Sequence, residues 1–258
     1  MKLNKAKMRM MAGKPALGTV LGMGSPEVAG VLARSKFDFL LLDAQHGAWN
    51  LQTAGDALWN IGVAGHIGMV RVVKNDFFAI GSMLDRGALG VVVPMVETVE
   101  EARAAVDAAR YAPQGRRSVG GSSMRSWQSV GNDGINEEIF MAVQIETRLG
   151  VERAAEILAV DGVDGCWIGP SDLAREGHSA GARGLSADGQ NTRHLRARAP
   201  EPVARSRISL CHCWVRWRVC QPRGRLHNTV VCSGTVERLR AHILDHLSYD
   251  AFYVSLLE

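Results

Sequence analysis

Residues 87–111 read GALGVVVPMVETVEEARAAVDAARY, a short apolar run followed by an amphipathic stretch. The run at 89–94 is continuous rather than alternating, which suits a parallel strand covered on both faces. From Val99 the period changes: Val99, Ala102, Val106 and Ala109 share one face and charges occupy the other, so the spacing predicts a helix over 99–111. The same pair of patterns repeats outward in both directions. Apolar runs at 16–23, 39–43 and 67–73 precede this unit, and runs at 140–146 and 163–168 follow it. Helical spacing recurs at 26–34, 51–61, 77–86 and 149–159. Strand and helix alternating at intervals of about 25 residues predict an α/β fold, a (β/α)8 TIM barrel built as one domain over residues 1–258. A doubly wound open sheet is the alternative.

Composition narrows the function classes. With 258 residues, 47% of them hydrophobic and 22% charged, the chain can bury a large core and is not a disordered tail. Its longest uncharged apolar run, 87–96, is half of the roughly 20 residues that a membrane helix needs, so no membrane partner is expected. Lys2, Lys5 and Lys7 mimic the start of a signal peptide, but Arg9 and Lys14 interrupt the apolar stretch that should follow. Cys166 is the one thiol before residue 179, which agrees with a reducing compartment. A cytoplasmic chain is expected.

The polar residues at the strand ends carry the chemistry. Asp43 closes FDFLLLD and is followed by Gln45 and His46; Arg71 lies in MVRVV, Glu146 ends MAVQIE, and Asp172 follows CWIGPS. In a barrel all of these ends meet on one rim, where active sites are built. Each residue also has a plainer reading. Asp172 before Leu173 fits a helix N-cap, and His46 fits a surface or packing histidine. Arg71 and Glu146 resist such readings, because a buried charge without a partner is costly. Charged or titratable groups at four successive rim positions read as one site.

Four segments together resemble a known family. They are FDFLLLDAQHGAWN at 37–50, MVRVVKND at 69–76, GALGVVVPMVETVEEARAAVDAARYAPQGRRSVGG at 87–121 and AVQIETRLGVERAAEILAVDGVDGCWIGPSDLA at 142–174. The pattern resembles the HpcH/HpaI aldolases, metal-dependent enzymes that cleave 4-hydroxy-2-oxo acids to pyruvate and an aldehyde. QIET followed by GPSDL at this separation is its most specific part. The resemblance implies that Glu146 and Asp172 ligate a divalent cation, Mg2+ or Mn2+, with Co2+ or Zn2+ as alternates. It places Gln144, Gly169, Pro170, Ser171 and Asp172 around the substrate, with backbone N–H groups near Ser171 and Asp172 on the 2-oxo acid's carboxylate. Arg71 falls at the keto oxygen, and His46, oriented by Asp43, becomes the acid–base group for the 4-hydroxyl. The implied partners are a small 2-oxo acid and an aldehyde, with a homo-oligomer as the assembly. Ala44 and Gln45 stand where many relatives carry Gly-Glu, a change that bears on the aldehyde preference. A relative that lyses a CoA thioester is a further reading, though such enzymes are usually longer.

Other groups have two readings of equal standing. Arg116 and Arg117 suit either a substrate carboxylate or a solvated loop pair, whereas Trp127 and Trp167 read as core.

The resemblance stops after His178. Residues 1–178 hold 18 Lys and Arg against 20 Asp and Glu; residues 179–258 hold 12 Arg, no Lys and six acids, so the formal charge of +4 comes from the tail. Four of the five cysteines and five of the eight histidines also lie there. Residues 179–231, rich in Arg, Cys, Trp and Pro without a sustained helical or strand period, resemble a shifted reading frame. They predict an aberrant segment without the expected seventh strand. From Cys232 the pattern returns, with a helix over 236–247 and a strand over 251–255, but the last helix of the barrel is missing. On that reading the chain is a catalytically impaired or vestigial relative, unstable and weakened in assembly. Cys211, Cys213, Cys220, His227 and Cys232 lack the paired C-x2-C knuckles of zinc sites. The Arg-rich stretch with Trp214 and Trp217 is not taken as a nucleic-acid surface, since the acidic first 178 residues give it no support.

Overall fold

The computed structural model describes residues 4–120, 132–169, 171–173, 175 and 214–217. The chain begins with helix α1 (Lys5–Met11) and then alternates: β1 (Ala16–Leu21), α2 (Pro26–Leu32), β2 (Phe39–Asp43), α3 (Leu51–Val63), β3 (Gly68–Arg71), α4 (Phe77–Asp85), β4 (Gly90–Val93) and α5 (Val99–Ala109). After α6 (Asn132–Glu138) come β5 (Phe140–Ile145), the short helices α7 (Arg148–Glu152) and α8 (Ala154–Leu158), β6 (Gly165–Ile168) and β7 (Trp214–Trp217). The sheet order is β6-β5-β4-β3-β2-β1-β7. The first six strands are parallel and adjacent in chain order, the wall of a half-barrel.

Every residue of β2, β4 and β5 is buried, as continuous apolar runs require of strands covered on both faces. Helix starts are written locally. Asn50 and Thr53 form a reciprocal cap at the start of α3, Thr98 and Glu101 do the same for α5, and Asp76 accepts from two N–H groups at the start of α4. The helix expected over 149–159 is two pieces, broken at Arg153 with ψ near zero.

Two helices escaped the sequence reading. α1 looked like the basic flank of a failed signal peptide, yet Asn4 caps it and Ala6 and Met10 are fully buried. Asn4 donates through Nδ2 to the carbonyls of Leu89 and Glu138 at 2.8 and 2.9 Å. Lys7 donates to the Ile139 carbonyl at 2.8 Å and pairs with Asp164 at 3.0 Å. These partners sit at the N-terminal ends of β4, β5 and β6, so α1 covers the end of the wall opposite the rim. Asp164 also accepts from Arg110 at 2.9 Å and from the Met141 N–H at 2.8 Å, which satisfies a buried carboxylate with a cation on either side. The second helix missed is α6.

Within the segment read as lacking the expected seventh strand, residues 214–217 form a strand of another kind, which runs antiparallel to β1 from Thr19↔Trp214 to Ala16↔Trp217. A parallel barrel would set a parallel strand there. Trp-Val-Arg-Trp is rich in aromatic and β-branched residues, and the β1 edge presents unpaired N–H and C=O groups that such a segment completes. The helix and strand read at 236–247 and 251–255 lie outside the described residues. No helix among the described residues is long and apolar enough to cross a membrane.

Candidate active site

β2 and β3 end opposite each other, with Asp43 in register with Arg71. The pairing brings their side chains together at the rim. Arg71 donates through Nε to Asp43 Oδ1 at 2.9 Å and through Nη2 to Oδ2 at 2.5 Å, a bidentate pair whose side chains are 11% and 10% exposed. Asp43 Oδ1 also accepts from the main-chain N–H groups of Gln45 and His46 at 3.1 and 3.2 Å. Burial alone would raise the Asp43 carboxyl; Arg71 and the two N–H donors outweigh it and hold the group below the usual carboxylate range.

That arrangement changes the role read for Asp43. Its carboxylate grips His46 through the backbone, and its fork is spent on Arg71 rather than on the imidazole. His46 is an exposed side chain on the loop after β2. The loop folds back because Gly47 packs on β1: a Cβ there would stand 2.3 Å from the Asp43 carbonyl and 2.9 Å from Gly22 Cα. Trp49 then donates to the Leu21 carbonyl at 2.5 Å.

Arg71 reaches across β4 toward β5, where its Nη1 stands 3.5 Å from Gln144 Oε1. Its guanidinium also lies over the Trp167 ring, 5.1 Å from the centroid. Trp167, read as core, is half-buried and packs against the core, and its ring also faces Arg71. Its aromatic side chain before GPSDL was the available signal.

Glu146 follows the last residue of β5 and precedes Thr147, the N-cap of α7. Only 2% exposed, its Oε1 accepts from the Met95 N–H at 2.8 Å and its Oε2 from Gln144 Nε2 at 2.6 Å. Burial is the main cause that raises its pKa; Asp172, within hydrogen-bonding reach, raises it further, against the pull of Met95 and Arg71. Gly169 makes the fit possible, since a Cβ there would stand 2.5 Å from Glu146 Cβ and 2.7 Å from Oε2. Met95, at the end of β4, also went unread. Ser171 and Asp172 are exposed at the start of a helical turn anchored by the buried Leu173. Pro170 lies outside the described residues.

Glu146 and Asp172 are two hard-oxygen acids brought together beside the Arg71 guanidinium, which is already committed to Asp43. Excess negative charge of this kind suits a divalent cation. Among the described residues no group of three or more His, Cys, Asp or Glu is placed to hold a metal ion.

Arg116 and Arg117 separate cleanly. Arg116 is a surface partner of Asp107, whereas Arg117 is buried against the Tyr111 ring and pairs with Asp85 at 2.7 Å.

The chain is 39% identical over 175 residues to the hydroxypyruvate/pyruvate aldolase of Deinococcus radiodurans, an alignment that covers 66% of this chain and 63% of that one. It therefore spans less than two thirds of that relative. It is also 39% identical over 182 residues to the 4-hydroxy-2-oxo-heptane-1,7-dioate aldolase of Shigella boydii, covering 69% of this chain and 70% of the other. Among solved structures it superposes on an HpcH/HpaI aldolase from Desulfitobacterium hafniense with a TM-score of 0.63 at 33% identity, over 67% of this chain and 68% of that one. The sequence pattern of the HpcH/HpaI aldolase/citrate lyase family matches residues 20–203, and with most of the chain inside that match, this protein belongs to the family.

Proposed function

We propose that the chain is a divalent-cation-dependent aldolase that cleaves a 4-hydroxy-2-oxo acid to pyruvate and an aldehyde. The observation that carries the reading is Arg71, clamped by Asp43 and faced by Trp167, next to the Glu146–Asp172 pair. Glu146 and Asp172 would hold Mg2+ or Mn2+, which when bound supplies positive charge to the oxygens of the 2-oxo acid. The names of the Deinococcus and Shigella relatives support the substrate class.

The chain's own residues have separable tasks. Arg71 is pre-oriented by Asp43 and needs no rearrangement to meet negative charge that develops on the keto oxygen as the carbon–carbon bond breaks. N–H groups near Ser171 and Asp172 receive the substrate carboxylate. His46, held at its backbone with its ring exposed, takes the proton of the 4-hydroxyl. The six-stranded wall is that of a (β/α)8 barrel, and a homo-oligomer is the assembly that fits the family.

The first test is pyruvate release from 4-hydroxy-2-oxo-heptane-1,7-dioate in Mn2+ or Mg2+. Activity abolished by EDTA and restored by either cation is expected; full activity in EDTA overturns the reading. A second reading, an impaired relative, is favoured by the antiparallel strand on the β1 edge. It predicts no release in either cation from a chain that still melts cooperatively.

The division of labour gives a further expected result. Arg71→Ala slows both cleavage and the exchange of pyruvate methyl protons with deuterium, by about 10²–10³ in each, because both build charge on the same oxygen. His46→Ala slows cleavage more than exchange, by about 10²–10⁴ in cleavage alone. Equal losses in both reactions for His46→Ala would contradict the assignment.

A further inference from the structure

We infer that Met95 is a positioning residue whose main-chain N–H, turned inward by a left-handed backbone, fixes the Glu146 carboxylate for cation binding. Met95 is the one non-glycine residue of positive φ among the described residues, at +57°. In an extended strand successive N–H groups point to opposite sides. Here two successive groups face the same strand end: the Met95 N–H donates to Glu146 Oε1 at 2.8 Å and the Val96 N–H to the Gln144 carbonyl at 3.3 Å. The Val96 bond ties the turn to β5 and leaves the Met95 N–H aimed at the carboxylate.

The Met95 side chain does not explain the conformation. It is 51% exposed, so little packing holds it in a region that L-residues avoid. What holds the turn lies on either side of it. Val96 is buried, and Glu101 Oε2 accepts from the Glu97 and Thr98 N–H groups at 2.7 and 3.1 Å, locking the chain into α5. Backbone strain kept beside a candidate ligand, with the side chain free, marks a position where the main chain performs the task. Gln144 Nε2 on Oε2 and the bare Cα of Gly169 complete the box around Glu146. The carboxylate has no free rotation left, and a ligand so oriented loses less entropy when it captures a cation.

The inference rests on the cation-binding reading of Glu146, and its test separates the two. Mn2+ alone is titrated into the metal-free full chain, with a thermal melt of each variant. Met95→Gly adopts the left-handed conformation without strain and is expected to keep the Mn2+ affinity within about twofold. Met95→Val, β-branched and unsuited to positive φ, is expected to weaken it by about 10–100-fold. A role for the side chain predicts the reverse order, since valine keeps apolar bulk and glycine keeps none. Independently of any metal or Met95 variant, 15N-methionine labelling should show the Met95 amide proton moving furthest of all methionine amides on Glu146→Ala. A wild-type chain that binds no Mn2+ overturns the cation reading itself. Unchanged affinity in a folded Met95→Val, or a Met95 amide indifferent to Glu146→Ala, overturns this inference alone.

Discussion

Glu146→Gln lowers cation-supported pyruvate release by about 10²–10³ while the melting temperature moves by no more than about 3 °C. The two halves of this expectation have different causes. Turnover falls because an amide offers the cation no charge, and because its NH2 group must face either the Met95 N–H or the Gln144 Nε2 donor. Stability holds because the buried Glu146 carboxylate is disfavoured by burial first and by Asp172 second, so a neutral group there relieves a cost that offsets the lost hydrogen bond. Mn2+ titration, pyruvate release and a melt on one preparation check all three. Retained Mn2+ affinity would remove Glu146 from the ligand set.

Asp43→Ala has the opposite profile, with stability and activity lost together. Removing the acid leaves the Arg71 guanidinium buried without its partner, a loss of about 3–5 kcal/mol against the roughly 5–15 kcal/mol that holds a domain folded. The same pair sets a pH dependence. Since the folded Asp43 carboxyl lies below its unfolded value near 3.9, its contribution is fully present above that value and is lost as pH falls through the lower, folded one. Asp43→Asn should therefore lose less melting temperature between pH 5 and pH 2 than the wild type does. A parallel decline in both proteins would show that the ion pair does not stabilise the fold.

What the sequence disclosed follows the range of each signal. FLLLD at 39–43 coincides with β2, and the continuous runs around 90–93 and 140–145 coincide with β4 and β5, because burial on both faces writes itself into consecutive residues. The end residues Asp43, Arg71 and Glu146 were readable for the same reason, since a charge that closes an apolar run demands a partner. Trp167 and Met95 were not. The indole is apolar and matches a core residue until Arg71 is placed over it, and the Met95 contribution is a backbone angle that no side chain advertises. α1 was missed because its partners Glu138 and Asp164 lie 134 and 157 residues away, beyond any local period. The strand at 214–217 was missed because four residues make no period, and a partner edge decides their fate.

The distance between α1 and its partners has a bearing on how the chain is made. Synthesis proceeds from the N-terminus, and units assemble as they emerge, N-terminal parts first. Asn4 and Lys7 appear well before the carbonyls of Glu138 and Ile139 and the carboxylate of Asp164. Contacts of this span make assembly slow. The helix is thus translated ahead of its polar partners, and those bonds form a latch that closes only after the sixth strand has arrived.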